Sequence, residues 1–297
     1  MHIEFDIVIP ARNEAVSLGP LLKELKSLYP QAGIIVVNDG STDSTADVCI
    51  ENGVTLVSHP YSMGNGAAIK SGARAAQTAT IVFMDADGQH RPEDIQRLLD
   101  KLDEGYDMVI GARENATQAS IFRSLANRAY NRLASLMTGY KIDDLTSGFR
   151  AVRTRHFRKF LYLLPNGFSY PTTSTMAFFR SGLPIAYVPI RADQRDGKSN
   201  IRLFRDGTRF FIIIIKIGAL FSPMRLFLPV SGTLFLIGLG YYAHTFLTQH
   251  RFTNMSAMLF STSVIVFLIG IISEQISALH YKAADEDRRR TERTPKQ

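Results

Sequence analysis

Thr80-Ile81-Val82-Phe83-Met84-Asp85-Ala86-Asp87-Gly88-Gln89-His90 is an apolar, β-branched run that ends abruptly in two carboxylates one residue apart. Its first five residues predict a buried central strand, and in open α/β sheets ligands bind just beyond the carboxyl ends of such strands. Asp85 and Asp87 therefore stand where a site forms. Hard oxygen ligands on a short turn suit Mg²⁺ or Mn²⁺, which keeps several waters and draws its other ligands from a substrate diphosphate. The same Asp-Ala-Asp-Gly is also readable as a plain turn whose aspartates satisfy backbone amides. The rest of the chain favours the site.

Upstream, Phe5-Asp6-Ile7-Val8-Ile9 predicts a first strand, and Pro10-Ala11-Arg12-Asn13-Glu14 turns it into a helix from about Ala15 to Leu28. A second strand, Ile34 to Val37, empties into Asn38-Asp39-Gly40-Ser41-Thr42-Asp43, where Ser41 or Thr42 is placed to cap a helix running to about Asn52. A short strand, Val54 to Val57, precedes the glycine cluster Gly64 to Gly72, with Lys70 one turn into a helix. Downstream, Pro92 opens another helix, and Met108-Val109-Ile110 predicts a fifth strand that leaves through Gly111-Ala112-Arg113. Such alternation predicts an α/β fold: a mostly parallel sheet with helices on both faces and a site along one edge.

The sequence has 297 residues, enough for one sizeable α/β domain plus an appendage. Lys and Arg number 34 against 27 Asp and Glu, a formal charge of +7. That balance suits nucleic acid, anionic lipid or a phosphorylated substrate. A single cysteine, Cys49, excludes an internal disulfide and any Cys-based metal site, and is read as a small apolar residue in a reducing compartment. No Gly-x-Gly-x-x-Gly follows the first strand and no phosphate-loop motif occurs, which removes the main support for a dehydrogenase or a phosphate-loop NTPase. Met1 to Pro10 already reads as a strand rather than a signal peptide, so the N-terminal domain is expected in the cytoplasm.

Four segments, in order and spacing, resemble the A-type inverting glycosyltransferases of family 2: Val8 to Glu14, Val37 to Asp43, Asp85 to Gln89 and Leu145-Thr146-Ser147-Gly148-Phe149-Arg150. Within that family the chain is similar to polyprenyl-phosphate glycosyltransferases of the dolichol-phosphate mannose synthase type, over roughly residues 3 to 203. The resemblance implies a Rossmann-like fold and assigns Pro10, Ala11, Glu14, Asp39, Lys70 and Asp85 to a nucleotide-sugar donor. It implies Mg²⁺ or Mn²⁺ on Asp85, Asp87 and Gln89. It also implies an acceptor phosphate gathered by Arg113, by Arg123 and Asn127 four apart on one helix, and by Lys198, Ser199 and Arg202. Asp87, Asp144, Arg113 and Arg123 form the implied catalytic set. Asp144 lies where many family-2 enzymes place a general base. A phosphate monoester has its second pKa near ~6, so a phosphate acceptor needs no proton removed, and Asp144 is expected to orient rather than abstract.

From Leu226 to Ser273 the only formally charged residue is Arg251. Leu226 to Leu247 and Met255 onward are each long enough, at about 1.5 Å per residue, to cross a hydrocarbon core of roughly 30 Å. The expected organisation is a catalytic domain over 1–203, an interfacial helix within 204–225, two transmembrane helices within 226–279 (about 226–247 and 255–277), and a polar disordered tail over 280–297. Basic residues flank both outer ends of the pair, which by the positive-inside rule puts both termini in the cytoplasm. Two spans on a short chain fit a bacterial inner membrane and undecaprenyl phosphate.

The expected reaction is transfer of one sugar from a UDP- or GDP-sugar to a polyprenyl phosphate, for cell-envelope or protein glycosylation. The chain has no Trp, so the Gln-x-x-Arg-Trp signature of processive synthases is absent. The rival readings are a family-2 enzyme acting on another lipid hydroxyl, and a non-catalytic membrane scaffold. Nucleic acid is disfavoured, because the basic residues cluster beside apolar spans without a stacking aromatic stripe. Homo-oligomer formation is compatible with the sequence.

Overall fold

A computed structural model describes residues 4–113, 121–167, 169–191, 218–219 and 221–293 of the chain. Contacts divide the chain into two compact units, Met1–Asn200 and Ile201–Gln297. In the first, strands β1 (Phe5–Ala11), β2 (Gly33–Asn38), β3 (Thr55–Ser58), β4 (Thr80–Phe83), β5 (Met108–Arg113), β6 (Arg150–Arg153) and β7 (Ile185–Ile190) form one sheet in the order β3-β2-β1-β4-β6-β5-β7. Every pair is parallel except β6 with its neighbours β4 and β5.

The helices are α1 (Ala15–Leu28), α2 (Thr45–Glu51), α3 (Asn65–Ala75), α4 (Asp94–Asp103), α5 (Ile121–Thr138), α6 (Thr154–Lys159) and α7 (Tyr170–Arg180). In α1 the buried residues are Leu18, Leu21, Leu22 and Leu25, and in α4 they are Ile95, Leu98, Leu99 and Leu102. Both follow the i, i+3, i+4, i+7 spacing of a single apolar stripe. These stripes pack in one core with Ile7, Ile9, Val36 and Val82. Strand side chains alternate between faces, so Val8 and Val37 point the other way, and there α3 closes on them. A Cβ on Gly72 would overlap Val8 Cγ1 and lie 3.1 Å from Val37 Cγ2. The sheet is thus covered on both faces, as expected.

One local expectation is corrected. The helix after Asp43 starts at Thr45 with no side-chain cap, because Asp43 Oδ1 takes the Thr45 amide (3.1 Å) and hydroxyl (2.5 Å), leaving Ser41 and Thr42 to other bonds. Two strands went unanticipated, β6 and β7. The glycine cluster opens α3 and packs against chain: Gly66 N–H and Ala67 N–H donate to Gly167 O (3.1 Å) and Asn166 O (2.9 Å).

In the second unit, α8 (Pro223–Gln249) and α9 (Asn254–Arg293) form a hairpin. Both contain windows with mean hydropathy of 1.6 and 2.3, of which only 11% and 17% is buried, so the pair has the length and exposed apolar surface to cross a membrane. Small residues line the seam. Ser263 Oγ donates to Ser231 O (2.8 Å), and a Cβ on Gly238 would lie 3.1 Å from Leu259 Cβ. Close approach at small residues is how apolar helices associate without a hydrophobic driving force. The first helix begins at Pro223, three residues before the expected Leu226, and Glu274 Oε2 accepts the Met224 amide (3.4 Å). α9 continues to Arg293, so helix occupies residues 280–293 of the expected polar tail. Its Ala, Glu, Lys and Arg content carries high helix propensity after the apolar pattern has ended. Most of the expected interfacial segment, 204–225, lies outside the described residues.

The Gly72 contact generates a test. Gly72→Ala is expected to destabilise the sheet domain by about 1–3 kcal/mol, the usual cost of forcing a methyl group into a packed interface. A melting temperature equal to the parent's would contradict the α3 packing.

Candidate active site

The parallel strands β1, β2, β4 and β5 end along one edge, and each delivers site residues there. Beyond β1 and β2, two turns interlock. Asn13 adopts φ 54°, a left-handed conformation that asparagine tolerates. Its Oδ1 accepts the Thr42 amide (2.8 Å), and its own amide donates to Ser41 Oγ (3.0 Å). Glu14 N–H donates to Thr45 Oγ1 (3.1 Å), so Glu14 is fixed at the start of α1 beside Pro10 and Ala11 at the end of β1.

Asp39 follows β2 and is 4% exposed. One of its oxygens meets His59 Nδ1 (2.7 Å) and the Met63 amide (2.8 Å); the other accepts from Ser62 Oγ and the Gly64 amide (both 2.9 Å). Burial alone would raise its pKa, but these four partners outweigh it and hold the carboxyl below its usual range. All four acceptor positions are thereby met by the chain, and Asp39 fixes the 59–64 segment beside the end of β2. The other ring nitrogen of His59 reaches Ser71 Oγ (2.8 Å) on α3. Lys70, assigned to the donor by its sequence position, points elsewhere: it donates to Leu164 O (3.2 Å) and Asn166 Oδ1, tying α3 to the 164–167 segment.

After β4, Asp87 Oδ1 accepts the Gln89 amide (3.2 Å), so the turn reading of Asp-Ala-Asp-Gly also holds. Asp85 differs from Asp39. Its side chain is one-third exposed, His90 Nε2 lies 3.8 Å away, and it accepts no hydrogen bond among the described residues. No cluster of three or more His, Cys, Asp or Glu side chains arranged for a metal occurs among the described residues. A divalent cation here would therefore take Asp85, Asp87 and the Gln89 amide oxygen, with water and a substrate diphosphate completing its shell. This all-oxygen, incomplete set fits Mg²⁺ or Mn²⁺.

On the acceptor side, Arg113 at the end of β5 meets Asp144. Nε donates to Asp144 Oδ2 (2.8 Å), and Nη2 donates to Oδ1 (3.2 Å) and to Thr146 Oγ1 (2.5 Å). Asp144 also accepts the amides of Thr146 (2.9 Å) and Ser147 (3.1 Å). Burial pushes its pKa up, yet the Arg113 fork and these amides prevail and hold it ionised below the normal value. Arg113 keeps Nη1 without a partner among the described residues. Arg123 and Asn127 lie one turn apart in α5, while Lys198, Ser199 and Arg202 fall outside the described residues.

Behind these groups stand Arg150 and Tyr170. Arg150, at the start of β6, is fully buried; Nη1 donates to Pro171 O (3.1 Å), Ser174 Oγ (2.8 Å) and Thr175 Oγ1 (3.2 Å), and Nη2 donates to Ser147 O. Burial lowers its pKa. Tyr170, the first residue of α7, lies under that guanidinium at 5.6 Å and donates its hydroxyl to Gly148 O (3.0 Å). Burial, then the charge of Asp85, drives the phenol pKa far up, so it remains a donor.

The family model for Glycosyl transferase family 2 matches residues 6–161, and that for the GtrB C-terminal hairpin matches residues 222–279. The chain belongs to glycosyl transferase family 2. An uncharacterised protein of Methanocaldococcus jannaschii is 33% identical over 198 residues, covering 63% of this chain and 81% of that protein. Glycosyltransferase AglJ of Haloferax volcanii is 27% identical over 289 residues, covering 92% and 94%. Among solved structures, glucosyl-3-phosphoglycerate synthase from Mycobacterium tuberculosis, in complex with Mn²⁺, UDP-glucose and phosphoglyceric acid, superposes with a TM-score of 0.60. It is 21% identical and covers 73% of this chain and 80% of its own. That likeness shows the fold. The chain is accordingly a glycosyltransferase whose two apolar helices associate it with a membrane.

The two satisfied carboxylates make acid stability directional. Their folded pKa values lie below the unfolded ones, so their contribution is complete above about pH 4 and is lost as the pH falls through the folded values. The melting temperature is expected to hold between about pH 7 and 5, then fall below about pH 4, less steeply in Asp144→Asn. Equal slopes for parent and variant in circular-dichroism melts would contradict the Asp144 assignment.

Proposed function

We propose that this family-2 enzyme transfers one sugar, with inversion, from a UDP- or GDP-sugar to a polyprenyl phosphate such as undecaprenyl phosphate. The observation that carries the reading is the Arg113–Asp144 pair. A carboxylate held ionised below its usual range, with its oxygens engaged by a guanidinium fork and backbone amides, is a poor proton acceptor at neutral pH. An acceptor at this site must bring its own anionic nucleophile. A phosphate monoester does so, being largely dianionic above its second pKa of about 6. A neutral lipid hydroxyl does not.

In this reading the donor lies across the turns that follow β1 and β2, contacting Pro10, Ala11 and Glu14, with Asp39 supporting the loop that borders it. Asp85, Asp87 and Gln89 would hold Mg²⁺ or Mn²⁺, which neutralises charge on the departing nucleoside diphosphate. Arg113 turns its Nη1 donors to the acceptor phosphate, joined by Arg123 and Asn127 from α5 and by Lys198, Ser199 and Arg202. The apolar hairpin anchors the enzyme where such a lipid resides. Arg251 alone carries charge between the spans, whereas Arg225, Lys282 and Arg288 to Arg290 flank them, favouring cytoplasmic termini at a bacterial inner membrane.

The test is product formation from labelled UDP- and GDP-sugars with undecaprenyl phosphate and Mg²⁺ or Mn²⁺, beside Asp87→Ala. A labelled, acid-labile lipid made by the parent and lost in the variant is the expected result. No product and no donor hydrolysis from any pair, with folded protein, would overturn the reading.

Asp144→Asn separates orientation from base catalysis. It is expected to lower kcat by about tenfold or less and leave the pH profile unchanged. A loss of roughly 10³-fold, rescued by raising the pH, would instead identify a base and a hydroxyl acceptor.

A further inference from the structure

Asp85 is a half-buried carboxylate just beyond β4, and no hydrogen bond from a described residue aims it. What meets it is backbone. A Cβ placed on Gly148 would lie 2.8 Å from Asp85 Oδ2 and 3.2 Å from the Tyr170 hydroxyl, so Gly148 is the spacer between phenol and carboxylate. The peptides on either side of that spacer are each held from behind. The Tyr170 hydroxyl donates to Gly148 O (3.0 Å), and Arg150 Nη2 donates to Ser147 O. Both donors are themselves fixed. Tyr170 packs edge-on to Phe83, the last residue of β4, with ring centroids 6.3 Å apart, and Arg150 pairs in register with the same Phe83. The strand that ends two residues before Asp85 and the peptide that backs Asp85 are thus gripped by the same two side chains.

We propose that Tyr170 and Arg150 are positioning residues for Asp85: they press the Ser147–Gly148 backbone against its carboxylate and so set the direction in which it meets the cation and nucleotide of the donor complex. The inference rests on the oxygen-ligand reading of Asp85, Asp87 and Gln89 proposed above. It adds a second rank of residues, contributed by α7 and β6, that touch neither donor nor cation. Mutation of such outer partners typically weakens metal affinity by about 10- to 100-fold.

Tyr170→Phe is the cleanest probe, because it keeps the ring against Phe83 and Arg150 and removes only the hydroxyl. Full-length protein in detergent micelles would be titrated with Mn²⁺, alone and with UDP or GDP, following the free hexaaqua ion by electron paramagnetic resonance well below the melting temperature. Tyr170→Phe is expected to weaken binding by about 10-fold. If it acts through Asp85, the same change made in Asp85→Asn has no further effect, since a shared path makes the two losses non-additive. Gly148→Ala, which displaces the carboxylate from the other side, is expected to behave like Tyr170→Phe. Equal penalties in both backgrounds, or unchanged Mn²⁺ binding in both Tyr170→Phe and Gly148→Ala, would overturn the proposal while leaving the site reading intact. A parent protein that retains no Mn²⁺ under any condition would overturn the site reading, and this inference with it.

Discussion

A guanidinium with no exposure to solvent sits where the elements that carry the Asp85 and Asp144 turns converge. Arg150 is in register with Phe83 on β4 and Ile110 on β5, just before the chain enters the Asp85 turn on one side and reaches Arg113 on the other. Enclosing a cation costs several kcal/mol unless its donors are satisfied, and here the oxygen partners are all neutral, from the Ser147 peptide and the first two turns of α7, with Met108 Sδ at 3.8 Å and Nε left without a partner among the described residues. The carboxylates of Asp85 and Asp144 contribute only at longer range. Loosening any one of these pieces exposes an unmet charge, so they stand or fall together. The antiparallel run of β6 follows from the same demand. Only a strand entering from the site edge puts its first residue, rather than its last, beneath the site.

Much of this architecture was legible from residue pattern alone. The α1 limits, the first five strands and the apolar hairpin follow from periodicity that each segment carries within itself. β6 does not. Arg150-Ala151-Val152-Arg153 is short and bounded by charge, and it becomes a strand because β4 and β5 pair with it on both sides. β7 carries Pro189, which reads against a central strand and is tolerated because β7 lies at the sheet edge.

The site divides in the same way. Motif order placed Asp39 and Asp85 at strand ends and Asp144 just ahead of Thr146-Ser147-Gly148, but their electrostatic states depend on partners distant in sequence. His59, Ser62, Met63 and Gly64 saturate Asp39, and Arg113 saturates Asp144, whereas among the described residues Asp85 meets a glycine backbone and a distant imidazole. Three acids of one type thereby become two fixed anions and one carboxylate left open. Lys70 was misplaced for a related reason: its helical position was legible, but Asn166, almost a hundred residues later, decides where its ammonium goes.

Cys49, the chain's single cysteine, is buried on α2, and burial raises its thiol pKa to about 11. At neutral pH almost none of it is thiolate, the form that reacts. The native chain is therefore chemically silent toward maleimides. A cysteine engineered into an exposed position of any turn along the site edge becomes the one addressable handle, and a fluorophore or spin label attached there reports loop movement without first stripping the background.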